Sequence, residues 1–261
     1  MNKYGLLGDT LEHSLSPKIH GLIFQYTNLN GEYHLFPTDK KEIQALIDKV
    51  KSSEIKGINV TIPYKTEVIK YLDDVSEEAK LIGAVNTICM KNGKLVGLNT
   101  DSFGFKYTLE INNIDVTGKH VAVLGTGGAS NSIVFVLKSM GAAAVDLFSR
   151  NPKDGQKRYD ELDDNHNYGI IVNTTPVGMY PNVENSPIAK ETIGNAESVI
   201  DIVYNPVETK LLSYAKELGR KYVNGMYMLV GQAVKAQEIF NSTKIDKTVV
   251  EKIYDKVIGE I

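Results

Sequence analysis

The chain has 261 residues, enough for two domains, and its 42% hydrophobic and 23% charged residues are typical of a soluble globular protein. A formal net charge of −3 and a sequence pI of about 6.0 argue against nucleic-acid binding as the main function. The single cysteine, Cys89, excludes disulfide bonds and a cysteine-rich metal site, and the five histidines lack metal-ligand spacing, so no metal is predicted.

The N-terminus has no hydrophobic signal core, and no apolar run is long enough to span a bilayer. The lone cysteine fits a reducing compartment. We therefore expect a cytoplasmic protein that binds neither a membrane nor a nucleic acid.

The first elements are an apolar strand over residues 3–8, a loop with two serines, and a helix with apolar residues at helical spacing. Ser16 stands directly before Pro17, which predicts Ser16 as the N-cap and the proline as the first helical residue. The cap does not account for Ser14. Two hydroxyls beside a helix N-terminus could hold a small anion or a polyol.

A second strand and helix are predicted over 32–38 and 40–50, and a third strand over 55–62. Pro63 suits the first position of a further helix, which would place Lys65 in the first turn of that helix. A lysine opposed to the helix dipole is a candidate for proton transfer, and the alternative is a solvated surface lysine.

Two short helical pieces follow, and residues 88–98 are predicted to form a hairpin with a tight Asn92-Gly93 turn. Thr100 or Asp101 would then cap the next helix. The alternative is that Asp101 meets Lys65, where it would hold the lysine in place. The elements up to this point predict a mixed-sheet α/β domain of about 100 residues.

A buried strand over 121–124, a glycine-rich turn and a helix then form the pattern of a dinucleotide-binding fold. Gly125 permits the sharp turn, and Gly127 and Gly128 let the backbone approach a pyrophosphate at the helix N-terminus. Ser130 stands where the third glycine of the usual pattern would be. A structural turn is the alternative to a nucleotide site.

The strand over 143–148 ends at Ser149-Arg150. An acid at this point usually binds the ribose of NAD, whereas an arginine accommodates the 2′-phosphate of NADP. Asp146 lies inside the strand and does not fill the place of the acid. Arg150, with Lys153 as a second cation, therefore favours NADP, against the alternative of a solvated arginine.

Residues 151–167 are polar and aperiodic, so we expect a loop with at most a short helix or edge strand, and a sheet shorter than six strands. Further strands are predicted over 170–173 and 198–203, and helices over 209–218, 228–240 and 247–258. The loop after residue 173 has the position at which ligands bind in open α/β sheets.

Several of these segments together match one known family: 14–16, 59–65, 86–87, 99–101, 125–130, 173–179, 201–206 and 225–233. In this order they make the chain resemble shikimate dehydrogenase over essentially its whole length. The resemblance implies a reversible, NADP-linked oxidation of shikimate to 3-dehydroshikimate in aromatic amino acid biosynthesis. It implies Lys65 and Asp101 as the catalytic pair.

The resemblance also implies the other site residues. The substrate carboxylate would bind Ser14 and Ser16, and the ring hydroxyls would bind Thr61, Lys65, Asn86, Asp101 and Gln232, with Tyr204 a further substrate-site residue. The predicted cofactor site consists of Gly125, Thr126, Gly127, Gly128, Ala129, Ser130, Ser149, Arg150, Thr174 and Gly225, the last beside the nicotinamide.

The implied architecture has two domains. A substrate-binding domain would span 1–101 together with about 237–261, because the last helices pack back on it, and a Rossmann-like NADP-binding domain would span 102–236. Oligomeric state stays open between a monomer and a homodimer.

Two departures from the family pattern stand out, the short 151–167 segment and Ser149 in place of the asparagine expected before Arg150. Three alternatives to this function remain. One is a quinate/shikimate dehydrogenase that uses NAD, and another is a non-catalytic NADPH-binding sensor, which would not need Lys65 and Asp101. The third, a methylenetetrahydrofolate-type dehydrogenase, shares the two-domain layout without the serine pair.

Overall fold

The computed structural model describes residues 1–162 and 167–260. The chain divides into two compact units, one of Met1–Gly104 with Val230–Val257 and one of Phe105–Leu229 with Ile258–Ile261. The C-terminal segment of the first unit begins at Val230, and the domain bounds that the resemblance implied, with a return at about residue 237, stay a prediction.

The chain forms twelve strands and eight α-helices over its described residues. The strands are β1 (Asn2–Gly8), β2 (Gly31–Pro37), β3 (Gly57–Val60), β4 (Asp74–Val75), β5 (Thr87–Lys91), β6 (Lys94–Leu98), β7 (His120–Leu124), β8 (Ala144–Ser149), β9 (Gln156–Arg158), β10 (Ile170–Asn173), β11 (Ser198–Asp201) and β12 (Lys221–Val223). The helices are α1 (Ser16–Tyr26), α2 (Ile43–Lys51), α3 (Glu77–Ile82), α4 (Asp101–Ile111), α5 (Ser130–Ser139), α6 (Lys210–Glu217), α7 (Met226–Asn241) and α8 (Lys247–Ile258).

The first unit contains a mixed six-stranded sheet in the order β2-β1-β3-β5-β6-β4, which confirms the predicted sheet type. Strand β1 runs parallel to β2 and β3, whereas β5 is antiparallel to both β3 and β6. The β5–β6 hairpin turns through Asn92 and Gly93, whose φ angles are 51° and 76°. Two consecutive positive φ values define the type I′ turn that the Asn-Gly pair predicts.

The helix expected after Pro63 is absent from this described part of the chain, so that prediction was wrong. Strand β3 ends at Val60, a turn follows, and the next element is a short 3-10 helix over Glu67–Tyr71. The carbonyl of Lys65 accepts the amide of Val85 at 2.8 Å, and the amide of Ile69 donates to the carbonyl of Thr66 instead of to that of Lys65. Lys65 therefore lies on a turn that is fastened to the segment just before β5.

The second unit contains a sheet of six parallel strands in the order β12-β11-β10-β7-β8-β9. The expectation of fewer than six strands was wrong, because β9 and β12 are three-residue strands at the two edges. Strands of this length are too short to show an apolar period. The prediction of at most a short helix or edge strand over 151–167 is confirmed by β9 and a 3-10 helix over Tyr159–Glu161, except for residues 163–166, which lie outside the described residues.

Strand β7 is buried on both faces, which explains its continuous apolar sequence. Val121 and Val123 pack in one core cluster with Ile133 of α5. The alternate residues, Ala122 and Leu124, pack in a second cluster on the other side of the sheet. The glycine-rich turn therefore follows a strand that packs on both faces of the sheet.

Candidate functional site

The topology of the first sheet brings the predicted polar residues to one edge. The carboxyl ends of β1 and β3 point the same way because these strands are parallel, so Ser14 and Lys65 follow at the same edge. The antiparallel β5 begins at that edge, directly after Asn86, and β6 ends there, shortly before Asp101.

Lys65 and Asp101 form an ion pair. The Nζ atom of Lys65 donates to Oδ2 of Asp101 at 2.6 Å, and the two side chains are 13% and 10% exposed. The contact that the sequence left open is thus present. At such low exposure the pair is weakly screened by solvent, and the loss of one partner would leave the other charge nearly buried and uncompensated.

Asp101 is the first residue of α4, but its carboxylate does not cap the helix. Oδ1 of Asn99 accepts the backbone amide of Asp101 at 3.0 Å and that of Ser102 at 3.4 Å. The prediction that Thr100 or Asp101 supplies the cap was therefore wrong. Because Asn99 satisfies these amides, both carboxylate oxygens of Asp101 are available to other donors.

Asn86 supplies the second donor to this carboxylate. Its Nδ2 donates to Oδ1 of Asp101 at 2.8 Å, while its own Oδ1 accepts the amide of Thr100 at 2.7 Å. The side chain is 2% exposed. Asp101 is therefore held by a lysine on one oxygen and an amide on the other. These two hydrogen bonds fix the direction of the carboxylate and, through it, that of the lysine.

The serine loop differs from its prediction. Ser16 is the first residue of α1 rather than its N-cap, since the residue before it, Leu15, already has helical dihedral angles of −79° and −4°. The amide of Ser16 donates to Oγ of Ser14 at 3.2 Å. Ser14 therefore provides the hydroxyl that binds a free amide at this helix end.

Two further predicted substrate residues also belong to the first unit. Thr61 follows β3, and its amide donates to the carbonyl of Leu7 at 2.9 Å, which fixes Thr61 to the end of β1. Gln232 lies half-buried on α7. Tyr204 belongs to the second unit, and burial raises the pKa of its phenol above the ordinary value.

The glycine-rich turn connects β7 to α5 in the second unit. Gly125 has a φ of 100°, and a Cβ there would lie 2.7 Å from Cγ2 of Thr175, so both conformation and space require glycine. A Cβ on Gly127 would meet nothing within 4 Å. The fold therefore does not require a glycine at position 127. A ligand that approaches the backbone closely would require one, because a side chain would occupy its space.

Ser130 replaces the third glycine of the pattern without disturbing the turn. Its hydroxyl donates to the carbonyl of Gly127 at 2.6 Å, and the residue is fully buried. Thr174 braces the same turn, because its Oγ1 donates to the carbonyl of Leu124 at 2.8 Å. Thr126, Gly127 and Gly128 precede a ten-residue helix, and the backbone of this turn is accessible, a geometry that fits a pyrophosphate.

Among the residues that the structure describes, the end of β8 presents a cation, and the acid inside this strand is already engaged. Arg150 is exposed there, directly after Ser149, whose Oγ accepts the amide of Asn151 at 3.2 Å. The carboxylate of Asp146 accepts from Lys157 at 2.8 Å and from the hydroxyl of Tyr168 at 2.5 Å. Since Asp146 is engaged with these two partners, this strand end fits a 2′-phosphate better than a ribose diol.

Gly225 is explained by its backbone neighbour. A Cβ at this position would lie 1.9 Å from the carbonyl oxygen of Ile202, so only glycine fits. This close contact requires glycine whether or not a nicotinamide lies nearby. The predicted role of Gly225 at the cofactor therefore stays a prediction.

The sequence analysis missed several polar residues that organise these sites. In the first unit they are Asn99, which caps α4, and the buried Asn59, Thr87 and Thr100, which surround Asn86. In the second unit Asp201 was missed: it is fully buried and accepts from Thr209, Asn173 and the amide of Val203. Asn59, Asn99 and Asp201 each begin a matching segment, and that position was the available signal.

Across residues 1–162 and 167–260, no set of three or more histidine, cysteine, aspartate or glutamate side chains is arranged to hold a metal ion. Within the same described ranges, no helix has the length and apolar character needed to cross a membrane.

Comparison with known proteins gives a consistent result. Residues 6–88 match the shikimate dehydrogenase substrate binding domain. The chain is 43% identical over 267 residues to the shikimate dehydrogenase (NADP(+)) of Clostridium perfringens strain SM101, with 98% of each chain covered.

Solved structures are similar over the full length. A chorismate mutase/shikimate 5-dehydrogenase fusion protein from Clostridium acetobutylicum is 40% identical with a TM-score of 0.97, over 100% of this chain and 98% of that chain. Shikimate 5-dehydrogenase from Thermus thermophilus, in complex with NADP(H) and shikimate, is 30% identical with a TM-score of 0.88, over 98% and 99% of the two chains.

Proposed function

The chain belongs to the shikimate dehydrogenase family, and we propose that it interconverts shikimate and 3-dehydroshikimate with NADP. In this proposal Lys65 transfers the proton, and Asp101 holds the lysine side chain in position. The observation that carries this assignment is the 2.6 Å contact between the Lys65 ammonium and the Asp101 carboxylate at low exposure. A surface lysine without function would not need a nearly buried acid and a second amide donor behind it.

Oxidation of a secondary alcohol removes a hydride from carbon and a proton from oxygen. NADP supplies the hydride acceptor when bound, and its reduced form supplies the donor in the reverse direction. The hydroxyl proton must pass to a base within hydrogen-bond reach. In our proposal the neutral amine of Lys65 accepts this proton, and its ammonium form returns it when 3-dehydroshikimate is reduced.

Asp101 serves this proton transfer by position and charge. Its carboxylate directs Nζ of Lys65 through Oδ2 and is itself held by Asn86 through Oδ1. With both oxygens occupied by donors, Asp101 stays an acceptor throughout the cycle. The proton therefore exchanges at the lysine rather than at the acid.

Substrate binding is assigned to the same unit. We propose that Ser14 and Ser16 bind the carboxylate of shikimate, next to the N-terminus of α1, where backbone amides favour an anion. Thr61, Asn86 and Gln232 would bind the ring hydroxyls together with the Lys65–Asp101 pair. Tyr204 stays a predicted substrate-site residue.

The second unit is assigned to the cofactor. The turn of residues 126–128 and the first turn of α5, with Ala129 and Ser130, would hold the pyrophosphate. Ser149 and Arg150 would hold the 2′-phosphate, Thr174 braces the turn, and Gly225 would border the nicotinamide.

The direct test is a set of initial rates with shikimate and with quinate, each with NADP and with NAD. The proposal expects the highest kcat/KM for shikimate with NADP. A preference for quinate or NAD would keep the catalytic pair and assign the chain to the quinate/shikimate branch. Binding of NADPH without turnover of either substrate would contradict the assignment of Lys65 and Asp101 and support a sensor.

We further propose that the enzyme acts in the cytoplasm on free small molecules, as a monomer or a homodimer. The buried Cys89, whose thiol has its pKa raised to about 11 by burial, is unreactive and compatible with a reducing compartment. Cell fractionation and light scattering of the purified protein test these two points.

A further inference from the structure

A buried hydrogen-bond chain lies behind the Lys65–Asp101 pair, and its direction is fixed. It begins at Asn59, whose Nδ2 faces the backbone carbonyl of Asn86 at 3.3 Å. A carbonyl only accepts, so the amide nitrogen of Asn59 must be on this side. Its Oδ1, on the other side, accepts the hydroxyl of Tyr33 at 2.9 Å.

The next member of the chain is Thr87. The same Nδ2 of Asn59 donates to Oγ1 of Thr87 at 3.0 Å. Because the Thr87 hydroxyl accepts from Asn59, its own proton is free to be donated to another atom. It donates to Oδ1 of Asn86 at 2.9 Å. Oγ1 of Thr100 is 3.1 Å from Oγ1 of Thr87 and donates to the same Asn86 oxygen at 3.2 Å.

These donors determine which way the Asn86 amide points. Its Oδ1 also accepts the backbone amide of Thr100 at 2.7 Å. A flipped amide would place its NH₂ group against these donors and its oxygen against the carboxylate of Asp101. The orientation with Nδ2 on Asp101 is thus the one that satisfies every partner.

The position of the chain makes the orientation matter. Asn59, Asn86, Thr87 and Thr100 are 4%, 2%, 0% and 1% exposed. At this depth an unmade hydrogen bond is not replaced by solvent, and neighbouring bonds strengthen one another.

We propose that Thr87 and Thr100 are positioning residues of the dehydrogenase reaction, which hold the Asn86 amide so that it donates to Asp101 and thereby keeps Lys65 aimed. This inference rests on the proposed function. It assigns a task in the reaction to two buried hydroxyls that both donate to Oδ1 of Asn86.

The test is a double-mutant cycle. Thr87→Val removes the hydroxyl and keeps the shape, and we expect kcat/KM for shikimate to fall roughly tenfold. In an Asn86→Ala background the same substitution should have almost no further effect, because Thr87 acts through Asn86. Thr87→Ser should restore kcat/KM to within about twofold of wild type, since it returns the hydroxyl. Thr100→Val is tested in the same way.

Thr27→Val is the matched control. Its hydroxyl bonds the carbonyl of Ile23 at 2.7 Å at the end of α1, in the same unit and away from this chain of hydrogen bonds. We expect it to lower stability without changing kcat/KM. Equal losses from Thr87→Val in both backgrounds, or a serine variant as impaired as the valine variant, would overturn the proposal.

A second measurement separates this inference from the proposed function. In ¹⁵N-labelled protein the side-chain NH₂ resonances of Asn86, assigned by their loss in Asn86→Ala, report its orientation without turnover. In Thr87→Val and in Thr100→Val we expect these resonances to change chemical shift and to lose exchange protection. In Thr27→Val we expect their chemical shifts and their exchange protection to be the same as in wild type. Unchanged resonances in both valine variants would overturn the positioning role.

If wild type does not oxidise shikimate, the proposed function fails, and these resonances alone decide whether the two hydroxyls hold the Asn86 amide. If Thr87→Val does not fold, Thr100→Val decides it.

Discussion

Asn99, rather than Asp101, caps helix α4, because its Oδ1 accepts the amide of Asp101 at 3.0 Å. The two residues therefore have different hydrogen-bond partners at the start of this helix. Asn99 satisfies the free amides of the helix, and its Nδ2 also donates to the carbonyl of Ala84 at 2.9 Å. Asp101 is thereby released to bind Lys65 and Asn86 instead of its own helix end.

Because Asn99 caps the helix in place of Asp101, Asn99→Ala should lower both stability and activity. Loss of the cap should lower the free energy of unfolding by about 1 kcal/mol. Activity should fall as well, because the unsatisfied amides would compete for the carboxylate of Asp101. Denaturant unfolding and kcat/KM for shikimate measure the two effects.

Ser76→Ala is the matched control for this prediction. Ser76 caps α3 in the same unit, where its Oγ accepts the amide of Ala79 at 3.2 Å. A similar loss of stability with unchanged kcat/KM is expected. Equal activity in the two alanine variants would show that capping by Asn99 has no consequence for Asp101.

The glycine-rich turn predicts opposite outcomes for two neighbouring glycines. Gly127→Ala should fold normally, since its Cβ would meet nothing within 4 Å, but it should raise the KM for NADP roughly tenfold or more by occupying the pyrophosphate approach. Gly125→Ala should lower the melting temperature, because a φ of 100° disfavours alanine. A Gly127→Ala enzyme with unchanged KM for NADP would refute the predicted phosphate site.

Arg150 predicts which nicotinamide cofactor is preferred. A charge-assisted bond to a 2′-phosphate is worth about 1.5–3 kcal/mol, so Arg150→Ala should raise the KM for NADP roughly 10- to 100-fold and leave that for NAD unchanged. Arg158→Ala, which removes an exposed arginine paired with Asp160, is the control. Equal losses with both cofactors would show that Arg150 does not contact the 2′-phosphate.

Asp201 predicts a pH dependence of stability. Burial raises its pKa from 3.8 to about 6, although Thr209, Val203 and Asn173 all donate to it. Between these two values the folded chain binds more protons at this site than the unfolded chain does. Stability from this residue is therefore present below pH 3.8 and is lost as pH rises to about 6, by on the order of 2–3 kcal/mol.

Asp201→Asn isolates this contribution, because the amide does not titrate. The melting temperature of wild type relative to that variant should fall by several degrees between about pH 4 and pH 7. A rise over the same interval would mean that the three donors outweigh burial and that Asp201 is a stabilising carboxylate.

Much of this architecture could be predicted from local patterns. The hairpin followed from Asn92-Gly93, and the glycine-rich turn from Gly125 between a buried strand and a helix. The mixed sheet followed from the order of these elements. In each case neighbouring residues carry the signal, through backbone conformation or apolar period.

The predictions that failed depend on partners distant in the sequence. The carbonyl of Lys65 accepts the amide of Val85 on a turn where Pro63 suggested an α-helix, and no residue next to Lys65 in the sequence indicates this contact. The short strand β9 is attached by Lys157 to Asp146 through an ion pair rather than an apolar period. Long-range polar contacts of this kind leave no local pattern.

Lys65→Arg tests whether Lys65 transfers the proton. Arginine keeps a positive charge that can pair with Asp101, but it does not give up its proton near neutral pH. We predict that kcat for shikimate oxidation falls about 10²- to 10⁴-fold while shikimate, measured by equilibrium binding, is still bound. Near wild-type turnover, with only weaker binding, would show that Lys65 positions the substrate and that another group transfers the proton.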